Sequence, residues 1–205
     1  MLRLMLACTL ALSACATIQT AEAPAPEVAP VMRWDFHPEA PVWTQATLDA
    51  LGSHGAVLPA MQPADVQAWC PGYADGTPEE RSMFWAGLLS ALAKHESTWN
   101  PAAVGGGGRW FGLVQIDPRT ARGYGCAART GQALKDGAAN LRCAVRIAAA
   151  QVSKRGTVGR GMLDWGPFHS ASKRSEMQAW TRAQPYCRPK PEPTAADRIG
   201  EALGL

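Results

Sequence analysis

Residues 77–101 read TPEERSMFWAGLLSALAKHESTWNP, and this stretch decides the fold. Thr77 is a natural helix N-cap and Pro78 suits a first turn. Glu80 stands where its side chain completes a capping box. Phe84, Trp85, Leu88, Leu89 and Leu92 then fall on one helical stripe. Asn100-Pro101 cannot continue a helix, because proline restricts the residue before it, so the helix is predicted to end near Ser97. A second long helix is predicted over 137–154, where Leu141, Val145, Ile147 and Ala148 recur at helical spacing. Shorter helices are expected at 43–53, 63–70, 118–123 and 172–183. Val, Ile and Thr never gather into alternating runs, so strand signals are poor. The class is all-α, with loops carrying the site.

Outward from this stretch, composition bounds the rest. The chain has 205 residues, 47% hydrophobic and 18% charged, enough for one domain of ordinary size with its own core. Twenty Lys and Arg stand against 17 Asp and Glu, a formal net charge of +3. This excludes a strongly basic nucleic-acid binder, and no nucleic-acid partner is expected. No apolar stretch approaches the roughly 20 residues that span a bilayer. There is no internal repeat.

The chain opens with Met1-Leu2-Arg3, an apolar run from Leu4 to Leu12, and Ser13-Ala14-Cys15, the pattern of a secretory signal. Leu12-Ser13-Ala14-Cys15 resembles the bacterial lipoprotein box. That resemblance implies that residues 1–14 are removed and that Cys15 is lipidated, anchoring the protein to a membrane. The alternative is an ordinary signal with an incidental cysteine. Ala16 follows where no Asp stands, which in lipoproteins implies the periplasmic face of the outer membrane. Residues 15–30, with Pro24, Pro26 and Pro30, read as a linker. Residues 31–187 form the globular domain. The tail 188–205 carries Pro189, Pro191 and Pro193 before a short predicted helix, Ala195–Leu203.

With Cys8 in the signal and Cys15 on lipid, four cysteines remain: Cys70, Cys126, Cys143 and Cys187. In an oxidising compartment an even number suggests disulfides. Four cysteines allow three pairings, and sequence alone does not choose. Cys126–Cys143, closing a short loop, and Cys70–Cys187, tying the front of the domain to its end, are favoured. A zinc site is disfavoured, because no pair has close Cys-x-x-Cys spacing. His37, His54, His95 and His169 also lack metal spacing, and no metal or cofactor is expected.

Glu96 is placed oddly for stability. It stands in the last turn of the Thr77-capped helix, where the partial negative charge of the helix end repels a carboxylate. Apolar neighbours, Trp99 among them, would desolvate it. Both effects raise a carboxyl pKa. A carboxyl that keeps its proton in an aromatic-lined cleft can donate it to a glycosidic oxygen. Taken alone, the plainer reading of Glu96 is a solvated last-turn residue.

It does not stand alone. Glu96-Ser97 with Asn100-Pro101, then Gly112-Leu113-Val114-Gln115-Ile116, then Pro118-x-Thr120-Ala121, then Asp136 with Ala139-Asn140-Leu141 occur in order with compatible gaps. Met162-Leu163-Asp164-Trp165-Gly166-Pro167 follows. Over residues 80–168 the chain resembles the lytic transglycosylases of the lysozyme-like superfamily. The resemblance implies a single lysozyme-like domain whose catalytic helix ends at Glu96. It implies cleavage of peptidoglycan glycan strands between N-acetylmuramic acid and N-acetylglucosamine, leaving 1,6-anhydromuramyl ends. Glu96 is then acid and afterwards base, Ser97 orients it or contacts the sugar, Gln115 lines the cleft, and Asn140 supports the loop beside it.

One carboxyl suffices for that reaction, because the substrate supplies its own nucleophile. Two-carboxylate glycosidases need a partner across the scissile bond. Asp117 is the first candidate, but it reads as the cap of the helix at 118–123. Asp164 is the second. The family's last block has an alanine-tyrosine-asparagine-alanine-glycine signature, and its tyrosine has no counterpart here. Trp165 stands nearest and could stack on a sugar. Eight tryptophans against three tyrosines suit a sugar-binding cleft. Trp85 reads as core and Trp110 as cleft. Gly105–Gly108 is followed by no Gly-Lys-Ser/Thr, so it reads as a flexible loop at the cleft and not a phosphate cradle. No Gly-x-Ser-x-Gly elbow supports a serine triad. The competing readings are a muramidase that uses water, and a lysozyme-like lipoprotein that binds peptidoglycan or scaffolds an envelope machine without cleaving it.

Overall fold

The computed structural model describes residues 30–191. The signal segment, the lipidation site at Cys15, the linker before Pro30 and the helix predicted at Ala195–Leu203 lie outside the described residues. Within them the chain is all-α, with helices α1 (Ala40–Leu51), α2 (Val57–Ala60), α3 (Pro78–Ser97), α4 (Pro118–Gly123), α5 (Gly137–Arg155), α6 (Val158–Gly161) and α7 (Ala171–Arg182). A two-stranded antiparallel hairpin, β1 (Val104–Gly105) with β2 (Trp110–Phe111), lies between α3 and α4.

The capping box forms as the sequence requires. Glu80 N donates to Thr77 Oγ1 (3.2 Å) and Thr77 N donates to Glu80 Oε2 (2.7 Å). The helix that follows is not amphipathic. Every residue from Met83 to Ala93 is buried, where the sequence predicts a stripe on one face. The reason is tertiary: α1, α2, α7 and the turns at Gly166–His169 and Pro185–Cys187 pack around it. A helix buried on all sides is the spine of a domain. Trp85 is core, its Nε1 donating to Tyr73 Oη (2.9 Å), which donates in turn to Leu58 O (2.9 Å).

The shorter helices depart from expectation where prolines act. The first starts at Ala40 and not at 43, because Pro41 fits its opening turn. The helix expected at 63–70 is only a 3-10 turn, Val66–Ala68. Pro63 precedes it, and the Asp65 carboxylate is engaged elsewhere, accepting from Val158 N (2.6 Å) and Gly159 N (2.9 Å) at the start of α6. The helix at 118–123 has the expected bounds.

Both ends of the described segment are tied into the domain. Trp34 is fully buried and Arg33 N donates to Ser90 Oγ (2.9 Å) on α3. Tyr186 Oη donates to Val31 O (3.0 Å). Disulfides join Cys70 to Cys187 and Cys126 to Cys143.

Glu176 on α7 gathers two cations, Arg33 and Lys94 (2.8 Å), together with the His95 imidazole (2.8 Å). Hydrogen bonds from Arg33, with Lys94 and His95, hold its carboxyl well below the usual range. A depressed folded-state pKa gives stability that is present above the unfolded value and lost as pH falls. Glu176→Gln is expected to cost about 1–2 kcal/mol at neutral pH, a figure discounted because a third of the side chain is exposed. The deficit should shrink below pH 4 in urea melts. An equal deficit at both pH values would point to packing and not charge.

Candidate active site

The last turn of α3 ends in strained backbone. Thr98 (φ 52°) and Trp99 (φ 57°) are left-handed, and so is Gln115 (φ 50°). Among the described residues these are the only non-glycine positions with positive φ, and all three flank Glu96 or the loop facing it. Strain of this kind persists only where surrounding structure fixes it.

The glycine run is a tight hairpin turn, where a flexible loop is expected. Gly106, Gly107 and Gly108 have φ of 56°, 64° and 93°. A Cβ on Gly106 would lie 2.4 Å from the Trp110 ring, so only glycine lets that ring lie against the turn. Trp110 is 42% exposed, with the Arg109 guanidinium 5.6 Å from its centroid.

The loop after β2 is pinned from three sides. Asn140 Oδ1 accepts from Val114 N (3.0 Å), while its Nδ2 donates to Phe111 O (2.9 Å) and Leu134 O (3.0 Å). Ser97 Oγ donates to Leu113 O (2.8 Å), fastening the end of α3 to the loop. Trp165 Nε1 donates to Val114 O (2.9 Å). Gly112, at φ 83°, packs so closely that a Cβ would meet Leu134 O at 2.1 Å.

These contacts correct the expectation of a stacking face at Trp165 and of a sugar contact at Ser97. Asn140 is fully buried and Trp165 is 4% exposed, so neither offers a surface to a sugar. Asn140 holds the loop, and Trp165 is a wall of the pocket without a free face for stacking. Ser97 spends its hydroxyl on Leu113, which leaves it fixing helix to loop. Trp99 does not line the cleft either. Its Nε1 donates to Ser90 O (2.9 Å), and its ring meets Phe36 edge-on at 4.9 Å.

What remains is a pocket of about 320 Å³ lined by Glu96, Trp110, Gln115, Asp164, Trp165, Gly166 and His169. It shares Trp110, Gln115, Asp164 and Trp165 with a smaller pocket that adds Asp117 and Thr120. Glu96 is half-buried, and burial pushes its carboxyl up to about 7, with the Lys173 charge working against the rise. Desolvation is thus the cause, and the aromatic walls are Trp110 and Trp165. Gln115 Nε2 donates to Gly112 O (2.9 Å), holding its side chain at the cleft.

The two candidate second carboxylates separate. Asp117 Oδ1 accepts from Arg119 N (2.8 Å) as the cap of α4, and Arg119 and Arg109 pair with its Oδ2 at 3.1 and 3.7 Å. Hydrogen bonds from Arg119 hold its carboxyl below the usual range. Asp164 shares the Glu96 pocket. Lys173 and His169 also come to this site, and nothing in their local sequence marks them. A larger cavity, about 690 Å³ beside α1 and α2, brings together only Glu79 and Arg81 as charged groups, with Arg81 tied to the Tyr73 and Ala74 carbonyls. Chemistry, not size, selects the site.

The family model for the transglycosylase SLT domain matches residues 76–163. Among solved structures, wild-type DslA is similar at 25% identity, covering 80% of this chain and all of that one, with a TM-score of 0.69. A glutamate-to-glutamine mutant of DslA is similar at 24% identity and a TM-score of 0.70, covering 78% of this chain and all of that one. No curated protein matches the chain.

Proposed function

We propose, from the match of residues 76–163 to the family model for the transglycosylase SLT domain, that this protein is a murein lytic transglycosylase. Its substrate is the peptidoglycan glycan strand, and the bond cleaved is that between N-acetylmuramic acid and N-acetylglucosamine. One observation carries the reading: the half-buried Glu96 carboxyl, raised to about 7, lies in a pocket with Trp110 and Gln115.

Protonated Glu96 donates its proton to the bridging oxygen as the C1–O bond breaks. The resulting Glu96 carboxylate then takes the proton of the muramyl C6 hydroxyl as that oxygen closes on C1. Glu96 ends protonated, as it began, and no water is consumed. Trp110, the exposed ring of the pocket, gives a flat face for a sugar.

Digestion of purified peptidoglycan tests this directly. Mass spectrometry should find 1,6-anhydromuramyl ends, lighter by one water than reducing ends. Reducing ends alone would support a muramidase, a reading favoured by the position of Asp164 in the same pocket.

Activity should also depend on pH with a definite sign. An acid catalyst must hold its proton, so kcat/KM is expected to fall as pH rises through about 7, tending to tenfold per unit above it. A profile flat from pH 6 to 9 would remove Glu96 from the role.

The mature chain begins at lipidated Cys15 and is held at the periplasmic face of the outer membrane, with residues 31–187 as the catalytic domain. Buried acyl chains supply about 0.8 kcal/mol per CH₂. Cys15→Ser should move the protein from the membrane fraction to the soluble one; a variant still pelleting with membranes would refute the anchor.

A further inference from the structure

The block 162–167 contains no tyrosine, yet a phenol reaches it from another part of the chain. Tyr124, the residue after α4, places its Oη 3.5 Å from Asp164 Oδ2. The direction of this contact is set from behind. Arg155 Nε donates to Gln151 Oε1 (3.2 Å), which turns the Gln151 amide nitrogen toward Tyr124. Gln151 Nε2 then donates to the phenol oxygen. With its oxygen accepting from Gln151, the phenol has its hydrogen to give to Asp164. Gln151 and Arg155 stand one turn apart on α5, so a single helix face supplies the chain of donors.

Asp164 is also held through its neighbours. The Trp165 indole is fixed to Val114 O, and His169 Nε2 lies 2.8 Å from Leu163 O. Unlike Asp117, Asp164 forms no ion pair with Lys or Arg among the described residues. Its charge is therefore uncommitted within the chain, and it faces the pocket that contains Glu96.

We propose that Asp164 is a second catalytic carboxylate of this cleft, positioned by Tyr124 and Gln151, and that it stabilises the positive charge developing at the sugar C1. This rests on the functional reading above. Asp164 forms no covalent bond and moves no proton. The proton still passes from Glu96 to the leaving oxygen and returns from the attacking hydroxyl. A fixed negative charge facing an oxocarbenium-like centre favours the transition state over the neutral ground state, so its effect falls on kcat.

The test is a double-mutant cycle on purified peptidoglycan, with the full-length protein and muropeptide release as readout. Asp164→Asn is expected to lower kcat about 10–100-fold, with KM within about twofold of wild type. Tyr124→Phe should lower kcat several-fold in the wild-type background and leave it unchanged in the Asp164→Asn background, because the phenol acts only through that carboxylate. Melting temperatures measured alongside separate folding defects from catalytic ones. Fully active, folded Asp164→Asn would overturn this proposal alone. Equal losses from Tyr124→Phe in both backgrounds would overturn the positioning role. A wild-type protein that releases no fragments would overturn the functional reading, and this proposal with it.

Discussion

Glu96→Gln is expected to reduce glycan cleavage by about 10³–10⁴-fold, the upper range for removal of a general acid. Glutamine keeps the shape of the side chain and loses its proton, so binding of glycan strands should survive. A wild type and mutant equally inert, both retaining peptidoglycan, would instead fit a binding or scaffolding protein. The substitution has a second consequence that needs no substrate. The folded-state pKa of Glu96 is about 7, raised from an ordinary 4.5. The folded protein therefore holds a proton that the unfolded chain has released, and stability falls as pH rises from about 4.5 through about 7. At about 1.4 kcal/mol per unit the full effect is at most roughly 3.5 kcal/mol. Glu96→Gln has no charge to desolvate. It should be more stable than wild type at pH 8 and close to it at pH 4, by urea unfolding. A mutant less stable than wild type at pH 8 would contradict the burial on which the site depends.

Removing the Cys70–Cys187 disulfide should produce the largest loss of stability. Its cysteines are 117 residues apart, against 17 for Cys126–Cys143. Constraint of the unfolded chain grows with the loop closed, so the longer loop contributes about 4–5 kcal/mol and the shorter about 3. The long bridge also has local work. Gly72 N donates to Cys187 O (2.8 Å), and Thr181 Oγ1 donates to Trp69 O (2.7 Å), so the closing segment packs on the region before α3. The double Cys70→Ser, Cys187→Ser variant should melt roughly 10–15 °C lower than wild type. A smaller loss than in the Cys126, Cys143 double variant would contradict this order.

Much of this architecture is written locally in the chain. The spine helix is legible because Thr77, Pro78 and Glu80 specify its start and Pro101 its limit. The helix from Gly137 is legible because Leu141, Val145, Ile147 and Ala148 recur at helical spacing; in the structure Asp136 caps it, its side chain accepting from Ala139 N (2.8 Å). The hairpin is not legible: its strands are two residues long, too short for alternation to register. Burial of the whole α3 circumference escapes sequence reading because it depends on five other segments converging on it.

The site divides the same way. Glu96, Trp110 and Gln115 meet in one pocket, as motif order implies. Asn140 holds the loop beside the cleft, whereas Trp165 lies where the motif order places it with its face buried, and a tryptophan reads alike whether its face is open or buried. Lys173, His169 and the Tyr124–Asp164 contact depend on tertiary approach between distant segments. No periodicity or spacing encodes them.

The proposed cleavage depends on one carboxyl group keeping its proton near neutral pH. A carbon-detected NMR titration of the Glu96 side chain, assigned by its loss in Glu96→Gln, measures this directly. The midpoint should lie near 7. A midpoint near the ordinary 4.5 would mean an ionised, solvated residue with no proton to give at working pH, and the proposed chemistry would fail.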